Sequence, residues 1–142
     1  VTPEIITDGV HVHPAMVRMA FELFGTDRVI IISDSLRCCG LEDGEYELGG
    51  QNFTLNGRRC TLADGTLAGS ASDQMACLRT AVTEMNIPLH DAGRAASTNP
   101  ARALGVDDHY GSLACGRTAS LVLLDKTTLA VKHVVLRGKL LV

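Results

Sequence analysis

The sequence predicts an α/β fold, and three observations lead to this prediction. Val29–Ile32 is a run of four β-branched apolar residues without polar alternation, which is typical of a strand buried on both faces. A helical pattern over residues 14–24 precedes this run, and a β-rich segment, Glu4–His13, precedes the helix. Strand, helix and strand in this order form a βαβ unit, whose two strands are parallel neighbours.

The predicted helix has a start signal, an apolar face and a stop signal. Pro14 occupies the first turn, where its missing N–H leaves no hydrogen bond unmade. Gly25 follows the last apolar residue and is expected to end the helix. The apolar residues recur at the spacing i, i+3, i+4 and i+7, and they are Val17, Ala20, Phe21 and Phe24.

A small β-meander is predicted after the buried strand, as an insertion at about residues 41–63. Two pairs of turn-forming residues, Gly49–Gly50 and Asn56–Gly57, separate short strand candidates there. Asp64–Ser70 is rich in small residues and is expected to be a loop.

The remaining chain is predicted to be helical and then β-rich. A helix is expected from about Ser72, and shorter helices from Pro88 to Ser97 and over Asn99–Leu104. The tail is expected to form antiparallel strands separate from the βαβ unit, with the segments Gly111–Ala114, Ala119–Asp125, Val131–Leu136 and Lys139–Val142.

Composition limits the functional class. The 142 residues are 46% hydrophobic and only 4% aromatic, which fits one domain with an aliphatic core. A net charge of −3 without a basic run gives little support for nucleic-acid binding. No apolar segment approaches the roughly 20 residues of a membrane span, so no membrane contact is expected. Five cysteines without a C-x-x-C pair fit a reduced, cytoplasmic setting.

Asp34 stands directly beyond the predicted buried strand, within Ser33–Ser35. In α/β folds, catalytic groups gather where parallel strands end, because a rigid sheet positions the loops there. A carboxylate at that place is a candidate general base or metal ligand. An Asp that caps a turn or the next helix fits the same position.

One βαβ unit cannot bury both faces of a parallel sheet, and both its strands have unpaired edges. Either another chain supplies further strands, or this chain is a piece of a larger protein. We expect the second.

Five motifs occur in order along the chain: Asp8–Val12, Ile32–Ser35, Asp64–Ser70, Asn99–Gly105 and Gly111–Ala114. As an ordered set they resemble the C-terminal part of the N-acetylglucosamine-6-phosphate deacetylase family, within the amidohydrolase superfamily. The last two motifs are shared by many amidohydrolases. The Asp-Gly-x-His-Val and Gly-Thr-Leu-Ala-Gly-Ser pieces are typical of the deacetylases.

The resemblance implies the C-terminal portion of a (β/α)₈ barrel and the C-terminal strands of a small β-sandwich. The last two barrel strands then lead into His11 and Asp34. Residues 1–110 close the barrel, with the meander at about 41–63 as an insertion, and residues 111–142 belong to the sandwich. The metal-binding Glu and two His of the family lie upstream of residue 1. No metal ligand is therefore expected in this chain, which is expected to be inactive alone.

The activity that the resemblance implies is metal-dependent hydrolysis of N-acetylglucosamine 6-phosphate to glucosamine 6-phosphate and acetate, a step of amino-sugar catabolism. A divalent ion, zinc or similar, activates the attacking water in such enzymes. Asp34 matches the catalytic aspartate, which takes the water's proton and returns it to the amine. His11 matches a substrate-binding histidine, and Leu67, Ala68 and Gly69 match a loop that lines the substrate pocket.

Purely structural roles are alternatives to these assignments. His11 also fits a core histidine bonded to a backbone carbonyl, and Leu67–Gly69 also fits an ordinary turn before the next helix. His13 shares a strand face with His11 if the extended chain continues, which would resemble a His-x-His metal motif on the first barrel strand. The short separation of His11 from Asp34 leaves no room for the intervening barrel strands, so metal binding by His13 is not expected.

Three further residues near Asp34 are functional candidates. Arg37 could bind a sugar phosphate, and it fits equally well as a solvated loop arginine. Cys38 and Cys39 suggest a nucleophile, although packing is favoured because no partner histidine is placed for them.

The expected partner is a small amino-sugar phosphate, and the resemblance implies a homo-oligomer, a dimer, for the intact enzyme. Another amidohydrolase, dihydroorotase-like or deaminase-like, is an alternative against which Gly65–Ser70 argues. A non-catalytic fragment that binds a partner as an interaction module is an alternative of a different class.

Overall fold

A computed structural model describes all residues, 1–142, and confirms the α/β class. The chain divides into two compact units, Val1–Ala96 and Ser97–Val142. None of its helices combines the length and the apolar character that crossing a bilayer requires. The strands are β1 (Glu4–Ile6), β2 (Ile30–Ile32), β3 (Gly44–Leu48), β4 (Gln51–Asn56), β5 (Arg59–Thr61), β6 (Leu67–Ser70), β7 (Leu121–Leu124), β8 (Val131–Leu136) and β9 (Lys139–Leu140). The helices are α1 (Pro14–Phe24), α2 (Gln74–Thr83), α3 (Leu89–Gly93) and α4 (Asn99–Ala103), with a π-helical turn at Arg94–Thr98.

The predicted βαβ unit is confirmed. Strands β1 and β2 pair in parallel, with Glu4 opposite Ile30 and Ile6 opposite Ile32. Helix α1 connects them and ends at Gly25, whose backbone φ of 77° requires glycine's freedom. Because the strands are parallel neighbours, the chain leaves both of them at the same edge of the sheet.

The core of the first unit lies between this βαβ unit and the helices that follow. The hydroxyl of Thr7, a fully buried polar residue, donates to the Cys77 carbonyl, so the hydrogen bond offsets its burial. Most of the buried hydrophobic side chains are aliphatic, as the low aromatic content predicts, and methionine and cysteine side chains pack with them. The cluster consists of Val17, Phe21, Val29, Ile31, Cys77, Leu78, Ala81, Met85, Ile87, Ala92 and Ala95.

The meander has four strands. Its order is β3-β4-β5-β6, with antiparallel pairing throughout. The expectation of a loop over Asp64–Ser70 is wrong for its second half, because Leu67–Ser70 pairs with β5. The turn between β4 and β5 is also shifted, since Asn56 pairs with Arg59 and the turn residues are Gly57 and Arg58.

Helix α2 begins slightly later than predicted. Asp73 caps it, and its carboxylate accepts the Ala76 N–H at 2.6 Å. Ser72 is buried ahead of the helix instead of opening it. Met85 lies beyond the helix end but is fully buried and packs in the core.

The second unit contains α4 and a three-stranded antiparallel sheet, β7-β8-β9. The predicted strand at Gly111–Ala114 is wrong, because this segment is irregular. The Gly111 carbonyl accepts a hydrogen bond from the Thr98 hydroxyl at 2.6 Å instead of pairing in a sheet. Val122 and Leu123 are consecutive in β7 and both exposed, so apolar side chains stand on both faces of this sheet.

We expect Gly111→Ala to destabilise the intact protein by about 1–3 kcal/mol. An added Cβ would lie 2.6 Å from the Ala101 Cβ and 3.0 Å from the Ser97 carbonyl oxygen, and φ is 89°. Urea unfolding measures the change.

Gly116→Ala is the matched control, because Gly116 has a similar φ of 86° but no atom within 4 Å of an added Cβ. Equal losses for the two variants would contradict the predicted clash at Gly111.

Candidate functional site

The candidate site lies where β1 and β2 end. Asp34 follows the end of β2 by two residues, and the turn Asp8–His11 follows β1. Both segments leave the parallel pair at the same edge, because Ile6 and Ile32 are register partners. The sheet therefore places these two sequence-predicted residues on loops that start side by side.

Asp34 is exposed and has a left-handed backbone, with φ of 49°. Asp and Asn adopt this conformation more readily than other non-glycine residues, which explains why the chain tolerates it here. The carboxylate takes part in no ion pair of the structure. It is therefore accessible to solvent and has no charged partner.

The loop that carries Asp34 is attached to β6. The Ser70 N–H donates to the Asp34 carbonyl at 3.0 Å, and the Leu36 N–H donates to the Ser70 carbonyl at 2.8 Å. Ser35 and Ser70 form a parallel bridge, and the Ser35 hydroxyl donates to the Ser72 carbonyl at 2.6 Å. These bonds hold the strand Leu67–Ser70 beside Asp34.

Gly69 permits this close approach. Its φ is 134°, and an added Cβ would lie 2.9 Å from Cγ and Cδ2 of Leu36. Ala68, one residue earlier, packs against the buried meander cluster of Cys38, Phe53, Leu55 and Cys60. The side chain of Ala68 therefore serves packing.

Leu67 and Ala68 also line a cavity of about 210 Å³. The other lining residues belong to the meander region: Leu48, Gln51, Phe53 and Leu62. Neither His11 nor Asp34 borders it, so this cavity does not unite the predicted site residues.

Asp8 is a functional candidate that the sequence reasoning did not single out. Its side chain is fully buried, and one carboxylate oxygen accepts the N–H groups of Val10 at 2.9 Å and His11 at 3.1 Å. The other oxygen lies 2.8 Å from Nδ1 of His11. The Asp-Gly-x-His spacing could have indicated this role, because an Asp before a tight turn commonly binds the backbone of that turn.

The pKa of Asp8 is lowered despite its burial. Burial alone would raise it, but the backbone N–H groups of His11 and Val10, the His11 ring and the Ser70 hydroxyl outweigh that effect. Asp8 is therefore ionised at neutral pH and can only accept hydrogen bonds. Nδ1 of His11 must then carry the proton in this contact, which directs Nε2 away from Asp8 and leaves it available.

Ser70 connects the two halves of the site. Its hydroxyl helps to lower the pKa of Asp8 and accepts the Ser72 N–H at 3.0 Å. Its backbone holds the Asp34 loop. Ser70 thus interacts electrostatically with Asp8, which binds His11, and its backbone is hydrogen-bonded to Asp34.

The other sequence candidates have structural roles. Nδ1 of His13 accepts the Ala15 N–H at 3.2 Å, so His13 caps α1. Arg37 donates to the Glu47 carbonyl at 3.4 Å.

The two cysteines near Asp34 also fit packing. Cys38 is buried, with its sulfur 3.4 Å from that of Cys60. Burial raises the pKa of Cys39 above its usual value, which disfavours a reactive thiolate.

The residues described, 1–142, contain no group of three or more His, Cys, Asp or Glu side chains that could hold a metal ion. A divalent ion does not fit the donor set of this chain alone.

Comparison with known proteins places these features in a family. The amidohydrolase family model matches residues 3–141. N-acetylglucosamine-6-phosphate deacetylase of Bacillus subtilis (strain 168) is 41% identical over 86% of this chain and 31% of its own length. N-acetylgalactosamine-6-phosphate deacetylase of Escherichia coli O157:H7 is 37% identical over 96% of this chain and 36% of its own length.

A solved structure shares the fold. A variant of N-acetyl-D-glucosamine-6-phosphate deacetylase from Mycobacterium smegmatis, in complex with N-acetyl-D-glucosamine-6-phosphate, matches with a TM-score of 0.90. The identity is 38%, and the match covers 99% of this chain and 37% of that one. The chain thus spans about a third of the length of these three relatives. Because the family model matches nearly every residue, this chain belongs to the amidohydrolase family.

Proposed function

We propose that the intact protein carrying this chain hydrolyses the acetamide of N-acetylglucosamine 6-phosphate, releasing acetate and glucosamine 6-phosphate. The observation that carries this proposal is the connected set His11, Asp8, Ser70 and Asp34 at one edge of a parallel strand pair. The names of the similar deacetylases supply the substrate class.

The proposed place of the chain is the closing part of a (β/α)₈ barrel, with β1 and β2 as its last two strands. Residues 1–110 are assigned to the barrel, with the meander as an insertion, and residues 111–142 to a β-sandwich. Two findings support this proposal: β1 and β2 are parallel, and the β7-β8-β9 sheet exposes apolar side chains on both faces.

Asp34 is assigned the proton transfers. Its exposed carboxylate takes a proton from the attacking water and then delivers it to the departing amine nitrogen. The second step is needed because an amine leaves poorly unless it is protonated.

His11 is assigned to substrate binding, near the scissile amide. Because Nδ1 is committed to Asp8, Nε2 is the atom that contacts the sugar. Leu67, Ala68 and Gly69 contribute backbone N–H and C=O groups beside Asp34, rather than side chains.

The family resemblance implies a divalent ion, zinc or similar, and we propose that its ligands lie outside residues 1–142. No step assigned here to Asp34 or His11 depends on its geometry. We further propose a homodimer and a cytoplasmic setting, the latter supported by five cysteines that all remain free thiols.

N-acetylgalactosamine 6-phosphate is a second candidate substrate, favoured by the similarity to the Escherichia coli O157:H7 deacetylase. The two sugars differ in the configuration of one ring hydroxyl. Acetate release from both, measured side by side on the intact protein, separates them by the ratio of kcat/KM. Turnover of neither would favour another amidohydrolase activity or an interaction module.

We expect Asp34→Asn in the intact protein to lower kcat at least a hundredfold while leaving sugar-phosphate affinity largely unchanged. Asn keeps the left-handed backbone that Asp34 adopts but cannot take up the proton. Acetate release measures turnover, and calorimetry measures binding. Asp108→Asn, an exposed site elsewhere in the chain, is the control and should remain active. Near-normal turnover of Asp34→Asn would rule out its assignment as the base.

We expect Gly69→Ala to lower kcat/KM about tenfold, because the added methyl group must push Leu36 and the attached Asp34 loop. Steady-state kinetics of the intact protein measures this loss. Gly65→Ala is the matched control: its φ of 85° is also positive, but an added Cβ meets open space. If both variants lose activity equally, the close approach at Gly69 does not position the site.

We expect the contribution of Asp8 to the free energy of unfolding to be lost at acid pH. Its pKa is lowered by folding, so its contribution is complete above its ordinary pKa of 3.8 and is lost as pH falls through the lowered value. The difference in unfolding free energy between wild type and Asp8→Asn should therefore be constant near neutral pH and shrink below about pH 4. Urea unfolding across pH 3–7 measures it. A difference that grows on acidification would contradict the ionised state of Asp8.

A further inference from the structure

Arg58 links three segments around the His11 turn. It lies in the turn between β4 and β5, and its Nη1 donates to the Asp8 carbonyl at 3.2 Å. Nη1 and Nη2 also reach Oε1 of Glu84, each at 3.3 Å. Glu84 is the C-terminal cap of α2, so one guanidinium joins the meander, the helix and the turn after β1.

The linked groups close over Gly9, the second residue of the turn. An added Cβ at Gly9 would lie 3.3 Å from Oε2 of Glu84 and 3.4 Å from Nη1 of Arg58. The backbone φ of Gly9 is 80°, so the turn already depends on glycine. Asp8 is thus held at two points: His11 and Val10 bind its carboxylate from inside, and Arg58 binds its carbonyl from outside.

The ion pair itself adds little stability. Its side chains are 54% and 49% exposed, and exposed pairs of this kind typically contribute about 0–1 kcal/mol. The bond to the Asp8 carbonyl differs in kind, because it fixes the backbone of the residue whose carboxylate orients the His11 ring. Its loss should therefore alter geometry more than stability.

We propose that Arg58 is a positioning residue for His11, acting through the backbone of Asp8. The inference rests on the proposed role of His11 in substrate binding. Glu84 keeps the guanidinium over the turn, and the substrate does not touch Arg58.

The test compares Arg58→Met with Arg59→Met in the intact protein. Arg59 is the next residue, is exposed, and carries the same charge without a contact to the turn. Arg58→Met should lower kcat/KM about tenfold and shift the ring ¹⁵N resonances of His11, with little change in melting temperature. Arg59→Met should stay within twofold of wild type, and Arg58→Lys should regain part of the loss, since one donor can still reach the carbonyl.

A double-mutant cycle with His11→Gln decides the route. If Arg58 acts through His11, Arg58→Met should cost no further activity in the His11→Gln background. A full additional tenfold loss there, or equal behaviour of Arg58→Met and Arg59→Met, would overturn the inference while leaving the proposed function standing. A fully active His11→Gln would instead overturn the proposed role of His11 and the inference with it.

Discussion

The buried carboxylate of Asp8 is the interaction on which the candidate site depends. An ionised group without solvent is strongly destabilising unless donors surround it. Here the donors are two backbone N–H groups of the following turn and the His11 ring, and the Ser70 hydroxyl further lowers the pKa of the carboxylate. Because the buried charge requires these hydrogen bonds, it fixes the path of the turn and the tautomer of His11, and it favours a position of β6 that keeps Ser70 near Asp8.

The antiparallel meander supports the parallel pair from the side. Strand β6 presents Gly69 and Ser70 to the Asp34 loop on one edge and pairs with β5 on the other. Behind it, Ala68 packs on a small core of its own, with Phe53 and Cys60 fully or almost fully buried. That core supports β6 from behind, and the backbone of β6 is hydrogen-bonded to the loop that carries the left-handed Asp34.

The sequence was sufficient where structure is local. Helix α1 is specified by the spacing of its apolar residues, by Pro14 at its start and by Gly25 at its end. The β-branched run specifies β2. It was insufficient for β6, because Leu67–Ser70 contains small residues of low strand propensity and becomes a strand only through pairing with distant partners. The role of Asp8 was hidden for the same reason: its burial and its contact with Ser70 depend on tertiary packing.

The two aspartates of the candidate site lie in opposite surroundings, one buried and one exposed. Asp8 has no contact with solvent, and its two carboxylate oxygens bind the turn backbone and the His11 ring, so it can orient a neighbour but cannot exchange a proton with water. Asp34 is exposed, with its backbone rather than its carboxylate held by Ser70, so the carboxylate can meet a water molecule. Environments that separate two carboxyl groups in this way are how acid–base sites assign distinct roles to identical side chains.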